Sequence, residues 1–309
     1  MFRNLLMLGI FLVGVIGCSH NPQQPPPAPS PVVVHPQPPT PLPPPSIGQD
    51  DRYVLVGINN YPNAPLNGCI NDVDDIKKFL VDILGAKESQ IKILKDGEAT
   101  TVNILAAMDW LTQNAQSGDR RYFHYSGHGA EYVNPDAVNQ PNHANQIICP
   151  VDFDWSPSRM IMDVQFAKVF KTLPAGVKFN WASDSCFSGD LTRTLFKPKM
   201  KVRSYPLPPP DAVKLALSKI KKTNSRDMVN GVLDVGYMSG CKYDQLSADA
   251  FIEGRYNGAF TFYLFKVLYK NPTQPLDKVI DEVNDLLKAN VFDQEPQVEG
   301  ARKKIPLLQ

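Results

Sequence analysis

The sequence has little net charge, few histidines and few cysteines. Its 32 basic and 31 acidic residues leave a formal net charge of +1, and charges of both signs are mixed along the chain. Because nucleic-acid surfaces are strongly basic, we expect no nucleic-acid partner. No internal repeat is evident. With five histidines and five cysteines in 309 residues, a catalytic imidazole or thiol comes from a short set of candidates.

The apolar stretch over residues 5–16 is too short for a comfortable membrane span. With Arg3 before it and Cys18 after it, it predicts a lipoprotein signal peptide over residues 1–17, followed by a lipidated cysteine as in bacterial lipoboxes. An ordinary signal peptide or a buried apolar N-terminus is the alternative. The lipoprotein interpretation predicts export and a lipid anchor in a bacterial membrane. The outer membrane is favoured because Ser19 is not the aspartate that commonly retains lipoproteins in the inner membrane, and the folded part would lie in the periplasm or on the cell surface.

Residues 18–50 are predicted to be a proline-rich tether. Thirteen of the 24 residues from 22 to 45 are proline, without apolar periodicity. Such a segment favours extended polyproline II, which at about 3.1 Å per residue would reach roughly 75 Å. A polyproline recognition ligand is the alternative, but directly after a lipid anchor a spacer is favoured.

Strand-like and helix-like segments alternate over residues 51–309, the predicted folded domain. Apolar spacing predicts strands at 53–58, 90–94 and 232–239, helices at 71–84, from Thr100 or Thr101, at 163–172, 260–269 and 276–289, a hairpin within 130–158, and a weak last strand within 297–308. This alternation indicates an α/β fold, with a mostly parallel central sheet and helices on both faces. Residues 198–230, rich in Lys, Pro and Ser, are expected to form an exposed linker.

Two further strands end in glycine-containing turns that carry a possible catalytic side chain. Residues 121–129, RYFHYSGHG, place His128 on the first turn, and residues 179–189, FNWASDSCFSG, place Cys186 on the second. Strand ends of an α/β sheet are common sites of catalytic groups. A thiol is only a few per cent ionised at neutral pH, so it needs a base, and an imidazole supplies one. The pair therefore indicates a cysteine hydrolase; taken singly, each residue would suit a structural role.

The remaining histidines and cysteines are weaker candidates. His124 lies within the first of these strands and is interpreted as a packed residue, while His20, His35 and His143 fall in the tether or a polar loop. An exported protein can form disulfides. Cys186 must stay free, however, and we expect no structural bridge among the four cysteines that remain beside Cys18.

Five short motifs in order resemble those of the metacaspases, the caspase-like cysteine peptidases of bacteria, plants, fungi and protists. The motifs are VGINNY (56–61), LNGCIND (66–72), YSGHG (125–129), DSCFSG (184–189) and SGCKYDQLSADA (239–250). The resemblance covers essentially the whole folded domain, and it implies a caspase-like sandwich.

The resemblance also implies an activity, namely cleavage of peptides after Arg or Lys. It gives Cys186 as the nucleophile, His128 as the base, and the amides of Gly129 and Cys186 as the oxyanion hole. The basic-residue pocket carries over to Cys69, Asp72, Ser126 and Asp184. Asp72 could equally cap the helix near it, and Asp184 could orient its strand end. Metacaspases usually work as monomers, so we expect a monomer.

The same comparison indicates that several of the usual calcium ligands are missing. Many relatives bind calcium through several aspartates, and calcium prefers six to eight oxygen ligands. Only Asp152, Asp163 and Asp190 are weak candidates here, and Arg193 stands where another ligand is expected. We therefore expect no required cofactor and a weak or absent calcium dependence.

Two functions remain open at this stage. The first is a membrane-tethered cysteine endopeptidase, whose basic segment 198–230 would be a candidate self-cleavage site or simply a solvated loop. The second is a catalytically silent caspase-like domain that binds peptides or partners at the cell envelope. The presence of both His128 and Cys186 favours the enzyme, whereas another hydrolase on the same sheet would not explain the pocket residues.

Overall fold

The computed structural model describes residues 50–133, 144–186, 200–206, 234–242, 244–307 and 309. In these ranges the chain forms five α-helices: α1 (Cys69–Leu84), α2 (Thr101–Thr112), α3 (Asp163–Lys171), α4 (Ala259–Lys270) and α5 (Leu276–Ala289). It also forms twelve strands: β1 (Arg52–Gly57), β2 (Ile91–Lys95), β3 (Arg120–Ser126), β4 (Gly129–Val133), β5 (Ala144–Ile148), β6 (Ile161–Met162), β7 (Lys178–Asp184), β8 (Met200–Val202), β9 (Val235–Ser239), β10 (Ala248–Ile252), β11 (Arg255–Gly258) and β12 (Gln297–Glu299).

The central sheet has six strands in the order β12-β9-β7-β3-β1-β2. All neighbours pair in parallel except β12, which is antiparallel to β9 at one edge. The predicted α/β class and mostly parallel sheet are confirmed. Because parallel strands need crossover connections, the helices cover both faces.

Alternate residues of the central strands enter two separate cores. On one face Phe123 and Trp181 pack with α2 and α3, and on the other Leu55 and Ala182 pack with α1, α4 and α5. The period of two along each strand therefore supplies apolar side chains to both faces, as expected for a doubly covered sheet. Both cores hold the carboxyl ends of the strands rigidly in one row.

Two small three-stranded sheets lie beyond the central one, in the orders β4-β5-β6 and β11-β10-β8. The first contains the predicted hairpin. The second was missed: β10 and β11 form an antiparallel hairpin that sequence patterning did not reveal, and β8 pairs with β10. The predicted last strand is shorter than expected and covers only Gln297–Glu299.

The expectation of an exposed linker over 198–230 is wrong where the structure describes it. Met200–Val202 is a paired strand, and Arg203, Ser204 and Tyr205 are buried. The sequence shows the basic charges of this segment but not the buried carboxylates that compensate Arg203. Residues 207–233 lie outside the described ranges, as do residues 1–49 with the predicted signal peptide, Cys18 and most of the tether.

Among the five helices of the described ranges, none has both the length and the apolar character that crossing a membrane requires.

Candidate active site

The two predicted catalytic residues follow neighbouring strands of the central sheet. Strands β3 and β7 pair in parallel with Ser126 opposite Asp184, and His128 and Cys186 come two residues after these positions. Gly127, which lies between Ser126 and His128, is closely packed. A Cβ added to it would be 2.5 Å from the hydroxyl oxygen of Tyr61. A glycine is therefore needed to bring the His128 turn against the core.

Two backbone amides converge on one carbonyl oxygen beside these residues. The amide of Gly129 donates to the oxygen of Arg203 at 2.9 Å, and the amide of Cys186 donates to the same oxygen at 3.0 Å. Paired donors at this distance are the arrangement that stabilises an oxyanion during acyl transfer. The structure thus brings together the amides of Gly129 and Cys186, which the resemblance assigns to an oxyanion hole. The carbonyl of Arg203, from the chain itself, lies between them.

The side chain of Arg203 fills an acidic pocket. Its Nη2 lies 2.7 Å from Asp72 Oδ2 and 3.1 Å from Asp249 Oδ1, and its Nη1 lies 3.3 Å from Asp184 Oδ2. Nη1 also donates to Ser126 Oγ at 2.6 Å. All four ion-pairing side chains have no exposed surface. Three carboxylates therefore surround one buried guanidinium.

Each carboxylate is held by further donors, so the pocket does not depend on Arg203 for its shape. Asp184 Oδ2 accepts from the amide and hydroxyl of Thr261 in the first turn of α4, at 2.9 and 2.7 Å. Asp72 Oδ1 accepts from the amide of Gly258 at 2.9 Å. A helix N-terminus favours negative charge, which stabilises Asp184 there. Asp184, at the end of β7, thus binds the first turn of α4 as well as lining the pocket. The alternative role of Asp72 as a cap of α1 is wrong, because the N-cap of α1 is Gly68 and no side chain caps it.

Burial raises the pKa of Asp72 to about 6, although the neighbouring Arg203 guanidinium lowers it. The carboxyl of Asp72 therefore titrates near neutrality while its pocket is filled. Cys69, at the start of α1, is fully buried, and burial raises the pKa of its thiol well above its usual value. Its thiol is neutral and adds no charge to the pocket.

Asp249 is the pocket residue that the sequence analysis missed. It lies on β10, and its carboxylate also accepts from the amides of Asn67 and Gly68, both at 2.8 Å. These bonds tie the loop before α1 to the small sheet. Asp249 lies in the motif over residues 239–250 that resembles the metacaspases, but the sequence analysis gave this motif no role.

The thiol of Cys186 is enclosed by the backbone of Ser247. The amide of Ser247 donates to Cys186 Sγ at 2.6 Å, and its carbonyl oxygen lies 3.3 Å from the same sulfur. An amide donor at this position stabilises negative charge on the sulfur. All four cysteines of the described ranges are buried and free: Cys69, Cys149, Cys186 and Cys241.

His128 presents one ring nitrogen for chemistry. Its Nε2 lies 2.6 Å from the carbonyl oxygen of Ala64, and because a carbonyl only accepts, Nε2 carries the proton. Its Nδ1 is then the free acceptor, and it has no hydrogen-bond partner among the described residues. Burial lowers the pKa of His128 to about 4. The imidazole is therefore neutral at pH 7 and can accept a proton through Nδ1.

Main-chain hydrogen bonds hold the segment around Arg203 in an extended form on both sides. Before it, β8 pairs antiparallel with β10, and the Arg203 amide donates to the oxygen of Ser247 at 3.1 Å. After it, the amide of Tyr205 donates to the oxygen of Gly129 at 2.8 Å. The segment lies across the strand ends in the manner of a bound peptide.

Of the remaining histidines, His124 is the one that the structure describes, and it does not join this site. His124 is fully buried within β3, and burial lowers its pKa to about 3. His20, His35 and His143 lie outside the described ranges.

Asp152 is the calcium candidate whose side-chain contacts the structure describes. Asp152 Oδ1 accepts from the amide and hydroxyl of Thr101 at 2.8 and 3.1 Å and so binds the first turn of α2. Asp163 is the first residue of α3, and Asp190 and Arg193 are not among the described residues. In the described ranges no group of three His, Cys, Asp or Glu side chains could hold a metal. The described part of the chain therefore offers no set of ligands that fits calcium.

Comparison with known proteins gives consistent results. Residues 51–194 match the family model for the metacaspase, peptidase C14 domain. The chain is 32% identical to metacaspase-1 of Scheffersomyces stipitis over 284 residues, covering 80% of this chain and 70% of the relative. It is 29% identical to metacaspase-1 of Cryptococcus neoformans and 30% identical to metacaspase-1A of Neurospora crassa, and it spans 62% of the length of each.

The fold is similar to that of protein GSU0716 from Geobacter sulfurreducens, with a TM-score of 0.61 and 20% identity over 83% of this chain and 97% of the other. That likeness concerns the fold alone. The identity to the fungal sequences, the family model and the ordered motifs lead to one conclusion: the chain belongs to the metacaspase family of caspase-like cysteine peptidases.

Proposed function

We propose that the protein is an endopeptidase that cleaves after Arg or Lys, with Cys186 as the nucleophile and His128 as the base. The observation that carries this proposal is the position of Arg203. Its guanidinium is bound by three carboxylates while its carbonyl oxygen accepts from the amides of Gly129 and Cys186. A substrate residue at the cleaved bond needs both contacts at once.

The charge of the pocket accounts for the preference for a basic residue. A buried carboxylate without a counter-charge is costly, so a cation that enters the pocket is strongly favoured. An acidic side chain would bring a fourth negative charge and be rejected. Lysine would reach the same carboxylates as a point charge, whereas arginine can donate to Asp72, Asp249 and Ser126 together.

The reaction follows from the groups around the carbonyl. Nδ1 of His128 takes the thiol proton, the sulfur of Cys186 forms a bond to the carbonyl carbon, and the oxygen becomes negative between the two amides. The carbon–nitrogen bond then breaks as His128 returns the proton to the leaving amine. Water activated by the same imidazole hydrolyses the thioester and restores the thiol.

We further propose that the Arg203–Ser204 bond is one that the enzyme cuts in its own chain. The basic segment 198–230 was a candidate for self-cleavage, and within its described part Arg203 is the residue that occupies the pocket. Until the bond is cut, residues 200–206 exclude other peptides from the site. Uncut protein would therefore be inactive on added substrates.

Intact-mass analysis of the purified chain tests both proposals. Wild type should yield a fragment that begins at Ser204, and Cys186→Ala should remain whole. Arg203→Lys should still be cut, more slowly, and Arg203→Ala should not be cut at this bond. Cleaved wild type should then hydrolyse a fluorogenic Arg peptide and leave the matching Asp peptide intact. A wild-type chain that stays as intact as Cys186→Ala, with no peptide turnover, would favour a silent binding domain.

Two further proposals concern cofactors and assembly. The enzyme is expected to act as a monomer without calcium, since Asp152 already binds Thr101 in the first turn of α2. Sedimentation at micromolar concentration tests the monomer, and a particle that contains two copies of the whole chain, cut or uncut, would overturn it.

The proposed location is a bacterial membrane, outer membrane favoured, through a lipid on Cys18. The support is the sequence pattern, an apolar segment that ends at Cys18 and continues into a proline-rich tether. Labelling with radioactive palmitate should mark the wild-type chain and not Cys18→Ala. Equal labelling, or a soluble wild-type protein after cell fractionation, would contradict the anchor.

A further inference from the structure

The segment that follows the proposed cleavage bond leads into an aromatic enclosure. Tyr205, two residues after Arg203, is only 8% exposed. Its ring centroid lies 4.9 Å from that of Phe153, 5.6 Å from that of His128 and 6.0 Å from that of Tyr61, all near edge-to-face. We propose that this enclosure is a binding subsite for an aromatic side chain at the second residue after the cleaved bond. This proposal rests on the proposed function.

The walls of the enclosure come from the folded domain and not from the bound segment. Tyr61 follows β1, His128 follows β3 and Phe153 follows β5, so three separate parts of the chain meet here. The hydroxyl of Tyr61 donates to the oxygen of Cys149 at 2.8 Å, which fixes the ring. Phe153 packs against Trp155 with centroids 5.0 Å apart. The subsite therefore keeps its shape when another peptide replaces the segment.

The backbone fixes which residue reaches the enclosure. The amide of Tyr205 donates to the oxygen of Gly129, while the amide of Gly129 donates to the oxygen of Arg203. Gly129 thus sets the register on both sides of the cleaved bond. A peptide with its basic residue in the acidic pocket must place its second following side chain between Phe153 and His128.

The rim of the enclosure is polar. The hydroxyl of Tyr205 bonds to the side chain of Asn63, and the carboxylate of Asp154 lies near enough to act on it. Tyrosine satisfies both the apolar walls and this rim. Phenylalanine satisfies the walls alone, alanine fills neither, and aspartate would face Asp154. The expected order of substrates is therefore tyrosine, phenylalanine, leucine, alanine and aspartate.

The subsite also touches the catalytic base. With Tyr205 in place, His128 is 2% exposed, and an edge-to-face contact joins the two rings. An aromatic residue in the subsite therefore excludes water from the imidazole and limits its rotation. A substrate that lacks this ring leaves one side of His128 open to solvent, so the loss should extend to kcat as well as KM.

Quenched fluorescent peptides of the form Lys-Val-Arg-Ser-Xaa test the proposal with self-cleaved wild-type enzyme. The value of kcat/KM should be on the order of tenfold higher for Tyr than for Ala at Xaa, the scale of a filled apolar pocket. Phe153→Ala should reduce the Tyr-to-Ala ratio to about one. Tyr269→Ala, which removes a 39% exposed ring from α4, should retain the wild-type ratio.

Three results would overturn the inference. Equal rates for the Tyr and Ala peptides, with cleavage still dependent on Arg, would exclude the subsite and leave the proposed function intact. A Phe153→Ala enzyme that keeps the wild-type ratio would exclude this location. Failure to cleave any of the peptides would instead overturn the proposed function, and the subsite with it. The wild-type ratio decides the matter even if Phe153→Ala does not fold.

Discussion

The guanidinium of Arg203 and the carboxylate of Asp72, 131 residues apart in the chain, lie 2.7 Å from each other with neither side chain exposed to solvent. A buried ion pair gains little over an apolar pair, because both charges lose their hydration. Removing one partner strongly destabilises the folded state, because the other charge is left buried without compensation. The pair therefore creates a site that is stable when filled by a cation and unfavourable when empty.

The first prediction concerns the stability of the uncut protein. In a Cys186→Ala background, Arg203→Ala leaves three buried carboxylates without their cation and should lower the free energy of unfolding by about 3–5 kcal/mol. Urea unfolding measures the difference. Lys266→Ala, which breaks an exposed pair with Glu253, is the matched control and should cost no more than about 1 kcal/mol. Equal losses for the two variants would contradict the filled pocket.

Asp249 provides the second prediction, which separates charge from shape. Asp249→Asn keeps the size of the side chain and removes its negative charge. We expect kcat/KM for Arg peptides to fall by about 10- to 100-fold, as for a buried pair that loses one charge. Asp281→Asn on the exposed surface of α5 serves as control and should have no effect. If the Asp249→Asn enzyme had the wild-type kcat/KM, the charge of Asp249 would have no role in binding the basic side chain of the substrate.

The third prediction follows from the pKa of Asp72, which burial raises to about 6. Below this pH the carboxyl is protonated and loses its attraction for a basic side chain. Emptying the pocket removes Arg203, which lowers this pKa, so the free enzyme should titrate at a somewhat higher pH. KM for an Arg peptide should therefore rise as pH falls from 7 to 5, and Asp72→Asn should abolish that rise. A KM that stays constant over this range in wild type would disprove the assignment.

The fourth prediction concerns acid stability and His124. Burial lowers the pKa of His124 to about 3, below the 6.5 of an exposed histidine. Protonation of the unfolded chain is then favoured as pH falls below 6.5, so this contribution to stability is lost on acidification. Between pH 7 and pH 5 the loss is about 2 kcal/mol for one such group. In the Cys186→Ala background, the free energy of unfolding should fall between pH 7 and pH 5 by about 2 kcal/mol less in His124→Phe than in the protein that keeps His124. Urea unfolding at both pH values measures the difference.

His128 contributes in the same direction, because burial lowers its pKa to about 4. Asp72 opposes both histidines, since its raised pKa stabilises the folded state at low pH. Comparing wild-type and His124→Phe slopes cancels these two contributions. An unchanged slope would show that His124 is not buried in its neutral form.

Calcium is the subject of the fifth prediction. Turnover of an Arg peptide by cleaved enzyme should stay within twofold when a chelator replaces calcium. Asp152→Ala should instead lower the free energy of unfolding by about 1 kcal/mol, the typical effect of losing a helix-capping contact. Activity that disappears in chelator and returns with calcium would refute this.

The sequence predicted the strands that carry the catalytic residues better than it predicted the residues that meet in the pocket. The alternation of strands and helices, and the placement of His128 and Cys186 at the ends of two strands, follow from local apolar patterns that a single sequence contains. The pairing of these two strands is visible only in the structure. The role of Arg203 could not be predicted, because a buried arginine and an exposed one look alike in sequence. Only the fold brings Asp72, Asp184 and Asp249 to the same place.

The same limit explains the missed small sheet. Strands β10 and β11 lie in a segment where polar pocket residues such as Asp249 interrupt the apolar alternation that identifies a strand. Strand β8 has only three residues, too few to show an alternation of apolar and polar side chains, and its pairing with β10 identifies it. An apolar alternation identifies strands that pack on a hydrophobic core. The strands of this small sheet carry polar residues of the site instead, so the alternation is interrupted.

The position of the proposed cut within the fold has a consequence for the lifetime of the enzyme. The Arg203–Ser204 bond lies in the connection between β7 and β9, which are hydrogen-bonded neighbours in the central sheet. After the cut, Asp72 and Asp184 belong to one polypeptide and Asp249 to another. The mature enzyme would be a heterodimer of its own fragments, and its midpoint of unfolding would depend on protein concentration. Dilution or denaturation would then separate the two fragments that form the pocket. Because no peptide bond joins them, their reassembly would be a bimolecular reaction and would slow down as the protein is diluted.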